Sequence, residues 1–289
     1  MQTLSREAEV RTTVAQARAR GQRVALVPTM GNLHAGHLAL VARAQELADL
    51  VVVSIFVNPL QFAPGEDLEG YPQTPEADRR LLQAVQADVL YTPKAAELYP
   101  RGLSATTRVE VPGLSEILCG ASRPGHFAGV ATVVTLLLNI VAPDLALFGE
   151  KDYQQLLVIR RVVEDLHLPL TVVAVPTVRE PDGLAMSSRN GYLSADERSR
   201  APTLYRVLAA VAAQVARGEQ DLASLERQGR AALAAAGLNP DYVSVRRAID
   251  LAAPGPDDRD LVVLGAAWLG RARLIDNLRG ERPYPPPRD

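Results

Sequence analysis

The chain has 289 residues, of which 47% are hydrophobic and 22% charged; this excludes a disordered protein and suits one large domain, alone or with a small one. The net charge of −2 argues against a nucleic-acid partner, because phosphate contacts favour a basic face. A single cysteine, Cys119, excludes an internal disulfide and favours a reducing, cytoplasmic location. With no secretory signal at the N-terminus and no apolar run long enough to span a bilayer, we expect no membrane association.

The first part of the chain alternates predicted strands with predicted helices. Val24 to Thr29 is a β-branched run that predicts a buried strand, His37 to Ala48 has helical spacing, and Leu50 to Val57 predicts a strand buried on both faces. The alternation continues through a helix at 74–87, a strand at 88–92, a helix at 127–141, a strand at 145–148, a helix at 153–166 and a strand at 170–175. This order predicts an α/β fold with a Rossmann-type doubly wound parallel sheet, in a domain of residues 1–184.

The composition changes near residue 190. Ser194 is predicted to start one long Ala/Arg-rich helix, and residues 221–236 a second. Three short strands are then predicted, at 242–246, 261–266 and 273–275. We therefore predict a smaller C-terminal α+β domain over residues 185–289, ending in a frayed proline-rich tail at 283–287.

Ligands of doubly wound sheets bind at the carboxyl ends of the strands, and a histidine pair lies at the first of these ends. His34 and His37 are three residues apart at the start of a predicted helix, so both can face one side. The unpaired N–H groups of a helix N-terminus suit a phosphate, and Gly36 lets a ligand approach the backbone. The competing interpretation is a chance pair of histidines.

Two further charged segments suit a polyphosphate. Gly149-Glu150-Lys151-Asp152 follows a predicted strand, and Lys151 is one of only two lysines among 31 basic residues. Met186-Ser187-Ser188-Arg189 combines two hydroxyls with a guanidinium. The competing interpretations are an exposed charged loop for the first segment and a hydroxyl-capped turn for the second.

Two glutamines, Gln61 and Gln155, also follow strand ends. A neutral amide can orient a hydroxy acid by hydrogen bonds without neutralising its carboxylate. A solvated surface glutamine is the competing interpretation for each.

Together these segments resemble a known family. In chain order, PTMGNLHAGH, SIFVNPLQF, RPGHFAGVATVV, FGEKDYQQ and GLAMSSRNGYL are similar to the motifs of the pantothenate synthetase (pantoate–β-alanine ligase) family, part of the HIGH-motif nucleotidyltransferases. The resemblance covers nearly the whole chain. It implies an ATP-dependent condensation of pantoate with β-alanine through a pantoyl adenylate, releasing pyrophosphate and AMP.

The resemblance also implies roles for particular residues. His34, His37, Lys151 and Arg189 would be catalytic, with His37 as the proton donor. Gln61 and Gln155 would bind pantoate, and Gln61 β-alanine as well. The implied ATP site comprises Met30, Gly31, Asn32, Leu33, His34, Ala35, Gly36, His37, Gly149, Glu150, Lys151, Asp152, Val178, Met186, Ser187, Ser188 and Arg189.

Other implications concern the metal, the pocket and the assembly. Mg²⁺ would be carried mainly by the phosphates of ATP, with Asp78 a candidate for its coordination shell. The methyl groups of pantoate need an apolar wall, for which the candidates are Met30, Phe56, Val133 and Val134. The C-terminal domain would act as a lid hinged near 181–186, and the resemblance implies a homodimer.

Two positions depart from the family pattern, and three other functions stay open. Leu60 and Ala128 stand where many relatives have Met and a polar or basic residue, which affects only the expected substrate affinity. The alternatives are an adenylyltransferase acting on a mononucleotide, a tRNA-charging synthetase and a nucleotide-binding regulator with an inactive site. The mononucleotide adenylyltransferase would not need the two glutamines, and the tRNA-charging synthetase would need an RNA-binding face. The presence of His34, His37, Lys151 and Arg189 argues against the inactive regulator.

Overall fold

Six parallel strands form the sheet of the larger of two units in the computed structural model, which describes residues 1–63 and 65–283. The strand order is β1-β4-β3-β2-β5-β6, and every neighbouring pair is parallel. The strands are β1 Gln2–Leu4, β2 Val24–Thr29, β3 Leu50–Ile55, β4 Val89–Tyr91, β5 Leu145–Gly149 and β6 Thr171–Val175. The predicted α/β fold with a doubly wound parallel sheet is confirmed.

Helices cover both faces of this sheet. They are α1 Glu7–Ala19, α2 Ala35–Leu47, α3 Pro75–Ala84, α4 Ala95–Leu98, α5 Cys119–Ser122, α6 His126–Val141 and α7 Tyr153–Asp165. One core cluster contains Leu26 of β2 with side chains of α1 and α6, whereas a second contains Val27 of the same strand with side chains of α2 and α3. Successive residues of β2 thus point to opposite cores, which explains why this strand reads as a continuous apolar run.

The strand order reverses between β2 and β5. The connection through α2 carries the chain from β2 to β3 on one side, while β5 pairs with the other side of β2. In doubly wound sheets this switch point, at the carboxyl ends of the strands, is where ligands bind. The segment that begins at Met30 and the end of β5 at Gly149 therefore occupy the expected position for a site.

The smaller unit contains a three-stranded antiparallel sheet packed with helices. Its strands are β7 Asn239–Arg247, β8 Asp260–Leu269 and β9 Ala272–Glu281, in the order β7-β8-β9. Its helices are α8 Ala195–Arg200, α9 Thr203–Ala216 and α10 Leu222–Ala235. Leu204 and Leu208 of α9, Leu233 of α10 and Val263 of β8 belong to one buried apolar core.

Two predictions for this unit were wrong. The single helix expected from Ser194 is two helices, because Pro202 has no N–H and cannot continue the hydrogen-bonded ladder between α8 and α9. The strands are also longer than expected; β9 extends to Glu281 instead of stopping at Ile275. The extension passes through two buried polar residues, Asp276 and Asn277, whose side chains are satisfied by hydrogen bonds.

The larger unit comprises residues 1–150 and 154–177, and the smaller unit residues 151–153 and 178–289. The change of unit falls at 177/178, and the domain boundary at 184/185 stays a prediction. Two backbone hydrogen bonds close the intervening segment: Glu180 N donates to Leu184 O at 2.8 Å and Met186 N donates to Val178 O at 3.0 Å. The segment proposed as a hinge, 181–186, is therefore part of a hydrogen-bonded turn of the smaller unit.

The proline-rich tail predicted at 283–287 falls, from residue 284 onward, outside the described residues. None of the helices in the described ranges combines the length and apolar character needed to cross a bilayer.

Candidate active site

A buried carboxylate shapes the loop that follows β2. Asp78, at the start of α3, is 2% exposed, and its two oxygens accept hydrogen bonds from the backbone N–H groups of Asn32 (2.9 Å) and Leu33 (2.8 Å). The loop turns at Gly31, whose φ is +82° and where a Cβ would lie 3.0 Å from Asp78 Oδ2. Only glycine fits this turn without strain, and the carboxylate holds it in place.

The two histidines cap the helix that this loop leads into. His34 is the N-cap of α2, and its Nδ1 accepts the N–H of Gly36 at 3.2 Å. His37 Nδ1 accepts the N–H of His34 at 3.3 Å, and the two ring centroids are 4.1 Å apart. Because each Nδ1 is an acceptor, the ring proton of each neutral imidazole resides on Nε2. The pair therefore offers two Nε2–H donors at a helix N-terminus, an arrangement suited to binding an anion.

Gln61 sits in a 3₁₀ turn, Pro59–Gln61, that is held by a buried asparagine. Asn58 is fully buried; its Nδ2 donates to Gln61 Oε1 and to Gly129 O, both at 3.1 Å, while its Oδ1 accepts the N–H of Leu60 at 3.2 Å. Gln61 is 7% exposed, and its Nε2 donates to Met30 Sδ at 3.0 Å. The structure thus brings together two predicted site residues, Gln61 and Met30, from the ends of adjacent strands.

This turn also depends on the close approach of α6. A Cβ on Gly129 would overlap the carbonyl of Leu60 and the backbone nitrogen of Gln61, so any larger residue would push the turn away from the helix. The predicted apolar wall residues Phe56, Val133 and Val134 belong to the core cluster on this face of the sheet.

An ion pair and a histidine support the backbone of Gln61. Arg123 donates to both oxygens of Glu66 at 2.6 and 2.7 Å, and through Nη1 to His126 Nε2 at 3.0 Å. The guanidinium is always a donor, so His126 carries its proton on Nδ1 and donates it to Gln61 O at 2.8 Å. Burial raises the pKa of the Glu66 carboxyl, but the hydrogen bonds and charge of Arg123 outweigh burial and keep that pKa below its usual value.

The two consecutive glutamines of α7 differ in environment. Gln154 is 4% exposed and is bound to backbone groups: its Nε2 donates to Leu114 O and Ile117 O, and its Oε1 accepts the N–H of Cys119. Gln154 therefore holds the segment before α5. Gln155, the predicted pantoate ligand, is only half-buried.

In the smaller unit, Lys151 is held through its backbone. Asn277 Nδ2 donates to Lys151 O at 2.9 Å, and the ammonium lies 3.6 Å from Asp152 Oδ1. Lys151 and Ser187 both line one small pocket of this unit, whose other walls include Tyr205 and Asp276. Two predicted phosphate ligands thus share a cavity.

A buried ion pair lies at the same pocket. Arg179 donates to both oxygens of Asp276 at 2.6 and 2.9 Å, and the carboxylate side chain is only 2% exposed. The guanidinium carbon also lies 4.4 Å from the ring centroid of Tyr205, a cation–π contact. Because Asp276 is neutralised by Arg179, its charge does not oppose the binding of an anion near Lys151.

The hydroxyl of Ser187 caps the following 3₁₀ turn, Ser188–Tyr192. It accepts the N–H of Arg189 at 3.3 Å. This is the hydroxyl-capped turn that the sequence analysis gave as the alternative to a phosphate-binding role. Asn190 donates to Ala185 O at 3.1 Å and so ties the turn to the preceding segment. A serine hydroxyl that accepts a backbone N–H can still donate its own proton to a ligand, so the two roles are compatible.

A metal cage built from protein side chains is absent within residues 1–63 and 65–283, where no group of three or more His, Cys, Asp and Glu side chains converges. Both oxygens of Asp78 already accept backbone N–H groups. Asp78 is thus used to hold the loop that follows β2.

Sequence reasoning missed the residues behind the site. Asn58, Asn277 and Asp276 hold site residues in place, yet none was singled out from the sequence. Asn58 carried a readable signal, since a polar residue between an apolar strand and a proline marks a turn. The pairing of Arg179 with Asp276 joins positions 97 residues apart, so it had no local signal.

The chain matches the family model for pantoate–β-alanine ligase over residues 2–279. It is 57% identical to the pantothenate synthetase of Pseudomonas putida (strain GB-1), covering 96% of this chain and 97% of that protein. The pantothenate synthetase of Thioalkalivibrio sulfidiphilus (strain HL-EbGR7) is also 57% identical, over 98% of this chain and 99% of that protein.

Solved structures agree with the sequence matches. A pantothenate synthetase from Thermus thermophilus superposes with a TM-score of 0.90 at 49% identity, covering 96% of this chain and 99% of that one. A pantoate–β-alanine ligase from Francisella tularensis, in complex with beta-gamma ATP and β-alanine, superposes with a TM-score of 0.82 at 32% identity, covering 96% of this chain and 97% of that one. The chain belongs to the pantoate–β-alanine ligase family.

Proposed function

We propose that this chain condenses (R)-pantoate with β-alanine in two steps through a pantoyl adenylate. In the first step a carboxylate oxygen of pantoate attacks the α-phosphorus of ATP, and the bond to pyrophosphate breaks. In the second step the amine of β-alanine attacks the acyl carbon of the adenylate, AMP leaves, and the nitrogen loses a proton. The product is pantothenate, a coenzyme A precursor.

The observation that carries the first step is the histidine pair at the start of α2. Each Nδ1 accepts a backbone N–H, so the proton of each neutral ring is on Nε2, and we assign these two N–H groups to the phosphates. Negative charge develops on the phosphates as the attack proceeds, and preorganised donors stabilise that charge. We assign His34 and His37 to this role, with His37 as the proton donor.

The remaining phosphate ligands come from the smaller unit. Lys151, Ser187, Ser188 and Arg189 would hold the phosphates and stabilise the departing pyrophosphate. The pocket that Lys151 and Ser187 share supports this assignment. The rest of the ATP site would comprise Met30–Ala35, Gly36, Gly149, Glu150, Asp152, Val178 and Met186.

Mg²⁺ would be held by the outer phosphates of ATP, where it screens their charge from the incoming carboxylate. The occupied oxygens of Asp78 favour a structural role for this residue, with any contact to the metal remaining a prediction.

Gln61 and Gln155 would bind pantoate, and Gln61 would also contact β-alanine. A neutral amide donates a hydrogen bond to the carboxylate without withdrawing the charge that makes it a nucleophile. The apolar side chains of Met30, Phe56, Val133 and Val134 would accommodate the methyl groups of the substrate.

Three further properties are part of the proposal and follow from the family resemblance. The enzyme would work in the cytoplasm, it would form a homodimer, and its smaller unit would act as a lid that protects the adenylate from water. Sedimentation velocity of the purified chain tests the dimer.

Pyrophosphate release from Mg·ATP tests the two-step reaction. With pantoate present and β-alanine withheld, we expect a burst of pyrophosphate that is stoichiometric with enzyme, followed by AMP turnover only when β-alanine is added. A signal that appears without pantoate, or that needs a mononucleotide, would instead indicate a mononucleotide adenylyltransferase. ATP binding without any pyrophosphate release would indicate a nucleotide-binding regulator.

A further inference from the structure

A buried tyrosine lies directly behind the asparagine that holds Gln61. Tyr99 follows α4, is 3% exposed, and its hydroxyl donates to Asn58 Oδ1 at 2.7 Å. We infer that Tyr99 is a positioning residue for pantoate, which acts through Asn58 on the amide of Gln61. The inference rests on the proposed role of Gln61 as a pantoate ligand.

The hydrogen bonds of Asn58 leave its amide only one orientation. Its Oδ1 accepts two donors, the N–H of Leu60 and the hydroxyl of Tyr99, and its Nδ2 donates to two acceptors, Gly129 O and Gln61 Oε1. Rotating the amide by 180° would set Nδ2 against the Leu60 N–H and Oδ1 against the Gly129 carbonyl. The two backbone contacts of this fully buried group, to the Leu60 N–H and to the Gly129 carbonyl, would then be lost, at a penalty for unsatisfied buried polar atoms.

The orientation of Asn58 sets that of Gln61. Because Gln61 Oε1 accepts from Asn58, its Nε2 is the end that points to Met30. A thioether sulfur is a weak acceptor, so an oxygen of a bound hydroxy acid would replace it as the preferred partner of the N–H. The network therefore presents a donor to the substrate, whereas the opposite orientation would present a carbonyl oxygen to an anionic carboxylate.

Within the described residues, Tyr99 is the member of this network that contributes a side-chain hydroxyl. Burial raises the pKa of this phenol, so the group stays protonated and able to donate. Its ring packs against Phe56 with centroids 6.1 Å apart, and a phenylalanine would keep that contact while removing only the donor. Asn58 Oδ1 would then keep a single donor, the N–H of Leu60, and the Gln61 amide would be less firmly held.

The chain offers a matched control in Tyr91. This tyrosine lies in the same unit, is fully buried, and its hydroxyl has no hydrogen-bond partner among the described residues. Tyr91→Phe and Tyr99→Phe thus make the same chemical change in the same core, but only the second removes a donor from the Gln61 network.

The test measures the burst rate of pyrophosphate release as a function of pantoate and, separately, of ATP. For Tyr99→Phe we expect the half-saturating pantoate concentration to rise about fivefold, the effect of losing one buried hydrogen bond. We expect its half-saturating ATP concentration, and its rate at saturating pantoate, to match those of the wild type. Tyr91→Phe should leave all three values unchanged.

Two results would overturn the inference: the same pantoate dependence in both variants, or a parallel shift of the pantoate and ATP values in Tyr99→Phe, as expected from general loosening of the core. All proteins are assayed below the unfolding onset of the least stable variant, checked by circular dichroism, so unfolding cannot imitate the effect. If the wild type itself shows no pantoate-dependent burst, it is the proposed function that fails.

Discussion

The two units hold their candidate site residues with different kinds of contact. In the larger unit the side-chain amide of Gln61 is fixed by a neutral group, the amide of Asn58, while the ion pair of Arg123 and Glu66 and the ring of His126 support only its backbone carbonyl. In the smaller unit the wall of the Lys151 pocket contains Asp276, a buried carboxylate that forms an ion pair with Arg179.

This difference matches the charges of the two ligands that we assign to these regions. Pantoate must keep the negative charge that makes it a nucleophile, so a pocket of neutral donors suits it. ATP carries several negative charges that must be screened, so cationic side chains suit its phosphates. The buried charge of Asp276 is compatible with the proposed phosphate site because Arg179 already neutralises it.

The largest expected effect comes from removing one of the proposed phosphate ligands, which we test with one residue from each unit. Lys151→Ala and His37→Ala should each lower kcat by roughly 100-fold or more, because their contacts strengthen as charge develops in the transition state. Steady-state AMP formation measures this loss.

Matched controls for these variants are available in the same chain. Lys94, the other lysine, is exposed, so Lys94→Ala should be fully active. His167 is exposed with a φ of 50°, a conformation that asparagine tolerates, so His167→Asn should also be fully active. Turnover near the wild-type rate in both Lys151→Ala and His37→Ala would remove the mechanism proposed for ATP.

The next largest effect is a loss of stability when the ion pair between Arg179 and Asp276 in the smaller unit is broken. Asp276→Asn leaves the guanidinium of Arg179 without its counter-charge and should lower the free energy of unfolding by about 3 kcal/mol, as expected when one partner of a buried pair is lost. Asp182 forms an exposed pair with Arg198, so Asp182→Asn should change stability by less than about 1 kcal/mol. Urea unfolding compares the two, and equal losses would show that burial does not distinguish these pairs.

The neutral contact of the larger unit can be tested through the packing of α6. Gly129→Ala places a methyl group where the carbonyl of Leu60 lies, and overpacking of this kind destabilises by about 1–3 kcal/mol. We expect that loss together with a higher half-saturating pantoate concentration. At Gly191 a Cβ would meet no atom within 4 Å, so Gly191→Ala is the control, and unaltered pantoate dependence in Gly129→Ala would contradict the proposed role of the turn.

The smallest effect is a pH dependence at Glu66. Arg123 keeps the pKa of this carboxyl below its usual value of 4.5 in the folded state, so the ionised carboxylate stabilises the fold above the unfolded pKa. That stability is lost as the pH falls through the lowered folded value.

Glu66→Gln should therefore be less stable than the wild type by about 1 kcal/mol at pH 7, because a charge-assisted hydrogen bond is lost. The difference should shrink as the pH falls below about 4.5. Glu46→Gln, in the exposed pair with Arg43, is the control and should show little change. A difference that stays constant from pH 7 to pH 3 in urea unfolding would contradict the assignment.

Most of the parallel sheet could be predicted from the sequence, because its strands are short apolar runs between helical patterns. Val24 to Thr29 was predicted with its observed bounds. The N-terminal elements β1 and α1 were not predicted, although the buried residues Val10, Val14 and Ala17 follow helical spacing. Because most other residues of α1 are polar or small, this narrow apolar stripe was not recognised in the sequence.

The candidate site was predictable where its residues form local motifs, and not where they are held by distant partners. Both histidines, Lys151 and Gln61 stand in recognisable segments. By contrast, Tyr99 meets Asn58 across 41 residues and Asn277 meets Lys151 across 126, and no local pattern encodes such pairs. The extension of β9 could not be predicted for the same reason: Asp276 fits inside a buried strand only because the distant Arg179 pairs with it.

The central position of β2 has a consequence for synthesis on the ribosome. Its neighbour β3 follows almost at once, but its other neighbour, β5, is encoded far later; Val24 N donates to Asp144 Oδ2 across 120 residues. While the intervening chain is translated, one side of β2 therefore remains an open, apolar strand edge. Such edges pair readily with other chains, and folds that depend on distant strand pairing form slowly. We therefore expect this edge of β2 to be exposed to aggregation until β5, residues 145–149, has been synthesised and can pair with it.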